Sequence, residues 1–295
     1  MGGAFVVCLG VNGSYFIYNV DYQVKVRYYS ADMGKTIRQR FSEMTRLYHF
    51  TNFASACKII ESRKLKFGKM FRMNDLIESN RIVFDRLVAE NEEDIKYNGT
   101  YAEREMHRYQ QISFSQDRKY GDAMFLGFDL HTMWGLYADR GCGVCLVFDK
   151  DKLKLENGDY AKDVEYDSII PADFGFRNKS KAGIKSEIWR RRDEIFFFKR
   201  KEWEYEQEYR VIRRAGNEMD DEYLEVSDAL SFAILCRDDS LWEGESIWSG
   251  LHYMEIKCID KKLPLLSYEY GLDGYMLWRE KPDDPLWTEY DGLWY

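Results

Sequence analysis

The chain has 295 residues, of which 45% are hydrophobic and 16% aromatic. That composition supports a large buried core and excludes an intrinsically disordered chain, which lacks the aromatics needed to offset ordering entropy. A formal charge of −8 argues against a general nucleic-acid sleeve, because phosphate binding needs a positive field; local basic patches stay compatible with it.

Residues 1–45 read as an N-terminal extension. AFVVCL, SYFIYNV and QVKVRYY are strand-like clusters, and Asn12–Gly13 between the first two is a hairpin signal. No basic leader precedes the first apolar run, and no stretch approaches the length of a membrane span, so a cytoplasmic chain without membrane association is expected.

Residues 46–295 are expected to form a single domain. Leu47–Thr51 reads as a short strand, and Asn52 is a good helix N-cap. Ala56, Ile59 and Ile60 then give an apolar stripe at helical spacing that ends before Lys64. Leu65–Phe67 begins another strand. FRMNDLIESNRI is polar and loop-like, and residues 81–109 read as a charged helix with a solvated face. Ile112–Ser115 (ISFS) reads as a strand, the region Met124–Tyr137 holds a short helix, and Gly141–Asp149 is a buried strand. Ile184–Lys201 reads as a helix with a basic surface. Tyr209–Arg213 and Ala233–Cys236 are strands, and residues 240–257 an amphipathic helix before the strand-like KLPLLSYEY. The irregular alternation favours an α+β fold, with a mixed, mainly antiparallel sheet and flanking helices, over a regular βαβ winding.

Six cysteines occur. Cys142 and Cys145 form a CxxC, but no second pair or nearby histidine completes a zinc set, so they read as buried thiols in a reducing compartment and no metal is expected. Phosphate loops, GxGxxG, HExxH and the serine nucleophile elbow are all missing.

Four groups of residues could carry chemistry. His49, beside Thr51 at a strand end, can bond a ribose hydroxyl or simply hold a backbone carbonyl. Asn74 and Asp75 suit a pinned turn, and Glu78 a helix cap or a site. Trp134 and Tyr137, three apart, share a helical face suited to the core or to stacking on a planar base. In KEWEYEQEYRVIRR, a strand would put Glu204, Glu206 and Glu208 on one face, with Arg210 able to neutralise one of them. That face is either a solvated edge or the source of a carboxylate that stabilises positive charge or activates a nucleophile.

The blocks HFT, NDLIE, ISFS, MWGLYADRGCGVCLVFD and KEWEYEQEYR, in this order over Leu47–Arg213, resemble the bacterial domain-of-unknown-function 2971 family. The chain departs from its pattern at Leu76, where proline is common, and at Leu136, where a histidine often precedes the tyrosine. The block order is in turn similar to that of the ADP-ribosyltransferase superfamily. That resemblance implies an ADP-ribosyltransferase-like fold and an enzyme using NAD as substrate without a metal. His49 would bind a ribose, with Thr51, Asn74, Asp75, Glu78, Trp134 and Arg210 as further candidates around the dinucleotide. Tyr137, or Ser113 and Ser115, would shape the nicotinamide pocket. Glu208, with Glu206 completing an E-x-E, would stabilise the oxocarbenium ion. The expected acceptor is a protein or nucleic acid, the latter suggested by the basic runs Arg190–Arg192 and Lys199–Lys201, and the expected use is as a toxin or in phage defence. An NAD glycohydrolase on the same site and a non-enzymatic nucleotide- or partner-binding module are the alternatives.

Overall fold

The Asn-Gly signal corresponds to a hairpin. In the computed structural model, β1 (Phe5–Leu9) pairs antiparallel with β2 (Tyr15–Asn19), Leu9 opposite Tyr15. The structure describes residues 5–9, 15–19, 37–72, 100–120, 123–168, 179–236, 253–254, 256–271 and 274–279. The turn at Asn12–Gly13, the QVKVRYY cluster, the NDLIE loop and most of the expected helices over 81–109 and 240–257 lie outside them.

The packed body begins ahead of Arg46. Helix α1 (Ile37–Glu43) buries Phe41 completely against Tyr48, Phe128 and Phe232. Strand β3 (Arg46–Thr51) follows, then α2 (Phe53–Ser62). The Asn52 side chain accepts a hydrogen bond from the Ser55 N–H at 2.9 Å, satisfying one of the free donors at the helix start. Ala56, Cys57, Ile59 and Ile60 form the buried stripe, and Arg63 in the left-handed conformation stops the helix.

Beyond α2 come β4 (Lys64–Lys66), β5 (Gly68–Lys69), α3 (Thr100–His107) and β6 (Tyr109–Gln116). Next are β7 (Arg118–Tyr120), β8 (Ala123–Phe125), α4 (His131–Tyr137), β9 (Val144–Asp149), β10 (Tyr160–Asp163) and β11 (Glu165–Asp167). The chain continues through α5 (Lys181–Arg190), α6 (Arg192–Phe196), β12 (Phe198–Arg200), β13 (Glu208–Arg214), β14 (Tyr223–Glu225), β15 (Leu230–Cys236), β16 (Leu265–Gly271) and β17 (Gly274–Arg279). The central sheet runs β10-β13-β6-β3-β9-β15-β16-β17, with β5 also on β6. Its pairings are antiparallel except β15 with β16. The fold is thus α+β, with an open, mainly antiparallel sheet and flanking helices.

Strand alternation divides the core. Leu47, Ile112, Phe114, Leu146 and Phe148 pack on one face of the sheet with α2. Tyr48, Phe50, Cys145, Val147 and Phe232 pack on the other with α4. A third cluster joins Tyr109 and Ile212 to Ile184, Phe196 and Phe197.

Two expectations are corrected. The helix read over Ile184–Lys201 breaks into α5, α6 and the strand β12, where consecutive aromatics favour extended backbone. The glutamates of KEWEYEQEYR do not share a strand: Lys201–Glu206 forms 3-10 turns, Gln207 at φ 45 reverses the backbone, and β13 starts only at Glu208. Glu204 is exposed, while Glu206 and Glu208 are buried.

Candidate active site

The site originates in a split of the sheet. The Glu208 N–H donates to Tyr166 Oη at 2.9 Å, and the Glu208 carbonyl accepts from the Val164 N–H at 2.9 Å. Both backbone groups of Glu208 therefore face away from β6. Its partner Ser115, and by alternation Ser113 and Gln111, turn their backbone groups to the opposite side, toward β3 and β5. There, β3 pairs with β6 only at Ser115 and Gln116, and β5 only at Gln110 and Gln111. Ser113 lies between them, with no partner among the described strand residues on that side.

His49 stands at this gap. Its Nδ1 is 3.0 Å from the Ser113 carbonyl, which can only accept, so Nδ1 carries the proton. Burial pushes the ring's pKa below its ordinary 6.5, and the bond to Ser113 opposes this only in part. The ring is neutral at pH 7, and Nε2 is a bare acceptor. The walls pack closely around the imidazole, Phe114 among them, yet part of its surface opens into the cleft.

The floor is a polar strip between two apolar clusters. Gln111, Ser113 and Ser115 alternate along β6, and Glu208 and Arg210 stand opposite Ser115 and Ser113 on β13. The Arg210 guanidinium, fully buried, donates to both Glu208 oxygens at 2.7 and 3.0 Å and to the Phe196 carbonyl. Lys199 Nζ lies 2.9 Å from Glu208 Oε2 and 2.7 Å from Glu206 Oε2. Burial works against the Glu208 charge, but Arg210 and Lys199 outweigh it and hold the carboxyl well below the usual range. For Glu206 burial wins and raises its pKa; Lys199 and the Tyr137 hydroxyl offset this only in part. Two neighbouring carboxylates thus have opposite shifts, an arrangement that separates a permanent anion from a group able to exchange a proton. Ser115 Oγ is buried and has no hydrogen-bond partner among the described residues.

Helix α4 delivers the tyrosine. Tyr137 Oη–H donates to Glu206 Oε1 at 2.8 Å, and Met133, one turn earlier, also lines the cleft. The helix end lies tightly against β3: a Cβ on Gly143 would sit 2.4 Å from the Thr51 carbonyl oxygen and 2.7 Å from Ala138 backbone atoms. Only glycine permits that approach.

The cleft holds about 250 Å³ and is bordered by Lys66 and Arg72 on one side. His49, Ser113, Ser115, Tyr137, Glu206 and Glu208 all line it, with Arg210 directly behind Glu208. Thr51 is not among the lining residues. Trp134 is core instead: its ring is buried against Phe50 and its Nε1–H donates to the Phe128 carbonyl at 2.7 Å. Asn74, Asp75 and Glu78 lie outside the described residues. Among the described residues, no group of three or more His, Cys, Asp or Glu is placed to hold a metal ion, and no helix is long and apolar enough to cross a membrane. Cys145 is buried and Cys142 half-buried, and neither is in a disulfide.

Lys199 and Tyr166 escaped the sequence reading. Lys199 belongs to a basic run in the sequence but is buried, as the three phenylalanines before it signal. Elsewhere in the two basic runs, Arg190 pairs with Glu187, Arg191 with Glu194 and Arg200 with Glu202.

The fold and site define an open-sheet α+β protein with a polar cleft at a strand separation, carrying a neutral histidine and a buried pair of carboxylates. Within it, residues 133–211 match the family model described as "Protein of unknown function (DUF2971)". The match covers most of α4, β9 and the run through Lys199, Glu206, Glu208 and Arg210; His49 and the serines of β6 lie outside it. No curated protein and no solved structure matches the chain.

Proposed function

We propose that this chain is an NAD-using enzyme of the ADP-ribosyltransferase type, modifying a protein or nucleic acid, as a toxin or phage-defence effector would. What supports the reading is one observation: His49, Tyr137 and the Glu206–Glu208 pair, distant from one another in sequence, line a single cleft. The neutral His49 offers Nε2 to a ribose hydroxyl. As the bond from ribose C1′ to nicotinamide breaks, nicotinamide leaves with the electron pair and positive charge grows on the sugar. The ionised Glu208 stabilises that charge. The attacking acceptor bonds C1′ and gives its proton to Tyr137 Oη, which passes its own proton to Glu206 Oε1. The raised pKa of Glu206 suits this role. No metal enters the scheme.

The test measures nicotinamide release and transfer of label from adenylate-labelled NAD to macromolecules in a lysate. Glu206→Gln should lower turnover by about 100-fold or more, the usual scale of general acid–base catalysis. Turnover equal to wild type would remove Glu206 from the mechanism. Nicotinamide release without labelled macromolecule would indicate a glycohydrolase on the same site. The tight pairing of Glu208 with Arg210 and Lys199 favours one further reading, a nucleotide-binding module; NAD binding with no turnover would select it.

A further inference from the structure

Lys199 lies with its side chain 7% exposed and its Nζ between two buried carboxylates, and no proton of the proposed transfer passes through it. Glu206 and Glu208 belong to different elements, a 3-10 turn and a strand, joined by the reversed backbone of Gln207. Left alone, two anions this close cannot both stay ionised, and one takes up a proton. We propose that Lys199 is a positioning residue: by engaging Oε2 of both glutamates it keeps them ionised together, and it leaves Glu206 Oε1 to the Tyr137 hydroxyl as the proton-accepting edge of the cleft. This rests on the transferase reading for its purpose but not for its test.

The geometry supports a division of labour between the two cations. Arg210 binds Glu208 alone, through two hydrogen bonds, and is itself held by the Phe196 carbonyl. Lys199 touches both carboxylates. The hydrogen bonds to Glu206 come from α4 (Tyr137) and β12 (Lys199). Tyr166 on β11, with Glu208 and Arg210 on β13, stands behind, Tyr205 is its chain neighbour, and His49 and Tyr48 on β3, Lys66 on β4 and Arg72 are the other titratable or charged groups lining the cleft. Of these, Lys199 alone is both charged and in contact with Glu206. Removing it takes away the attraction and leaves the Glu208 repulsion in place.

The experiment uses the full chain, carrying carboxyl-labelled glutamate, in an NMR pH titration, with the Glu206 signal assigned by its loss in Glu206→Gln. In Lys199→Met the Glu206 midpoint should rise by about one pH unit or more, a tenfold gain in proton affinity. Lys199→Arg should bring it back close to wild type. Glu208→Gln removes the repelling anion and frees Lys199 for Glu206, so there the midpoint should fall; this variant keeps the proposal open to refutation if Lys199→Met does not fold. A folded Lys199→Met with an unmoved Glu206 midpoint would overturn the proposal, and so would an unmoved midpoint in Glu208→Gln. Because the titration needs no NAD turnover, its failure is separate from failure of the transferase reading. Where turnover is present, the acid limb of kcat should move with the Glu206 midpoint.

Discussion

Replacing Arg210 with methionine removes one partner from a fully buried ion pair while nearly conserving side-chain length. Three hydrogen bonds disappear: two to the Glu208 carboxylate and one to the Phe196 carbonyl. Stripping one partner from a buried pair costs about 3–5 kcal/mol, because the remaining charge is left in a medium that solvates it poorly. Lys199, 2.9 Å from Glu208 Oε2, still compensates part of that charge, which places the expected loss near the lower end, about 3 kcal/mol. For a chain of 295 residues that corresponds to a Tm lower by about 5 °C. The effect should depend on pH with a definite sign. Glu208 is held below its ordinary value of 4.5 in the folded protein. Its contribution is therefore complete above pH 4.5 and is lost as the pH falls from there through the depressed folded value. In Arg210→Met the carboxyl accepts a proton more readily, so the stability gap to wild type should be widest at pH 7 and narrow below pH 4.5. Urea unfolding from about pH 2 to pH 7 measures the gap. A loss under about 0.5 kcal/mol at pH 7, or a gap that stays constant into acid, would refute the assignment of Arg210 as the counter-ion of Glu208.

Ligand binding should follow the protonation of His49. Burial lowers its pKa, so affinity for a ribose-bearing probe such as ADP-ribose should be flat above pH 6.5 and fall only at lower pH, where Nε2 is protonated. His49→Phe should weaken binding by about tenfold, one hydrogen bond's worth; calorimetry showing wild-type affinity in the variant would exclude the imidazole from the contact. Gly143→Ala forces a methyl against the Thr51 and Ala138 backbone, which must shift to admit it. About 1–3 kcal/mol of destabilisation is expected, with turnover reduced because Tyr137 moves with α4; an unchanged melting curve would mean that the close approach is not required.

Much of the architecture is legible in local pattern. Short, nearly continuous apolar runs in LYHFT and GVCLVFD mark β3 and β9, because a strand at the centre of a sheet must fill both faces. Asn52 announces α2, because an asparagine side chain can satisfy a free N–H at a helix start without help from distant residues. His49, Tyr137, Glu206 and Glu208 also stand out individually, as polar or titratable groups embedded in apolar runs.

Other features depend on neighbours that the sequence does not place side by side. The strand reading of KEWEYEQEYR failed because alternation carries no information about Gln207, whose positive φ ends the turn and orients Glu206 separately from Glu208. Trp134 has the same sequence spacing as a base-stacking residue, and only the packing of α4 on Phe50 turns it into the core. Lys199 looked like solvated charge until β12 carried it beneath two carboxylates. The gap opposite Ser113 exists because β3 and β5 each pair with a different stretch of β6. Side-chain type and spacing are properties of the chain itself and could be read from it directly. The cleft and the opposite protonation tendencies of its two glutamates arise from long-range strand pairing and shared burial, and these exist only once the sheet has assembled.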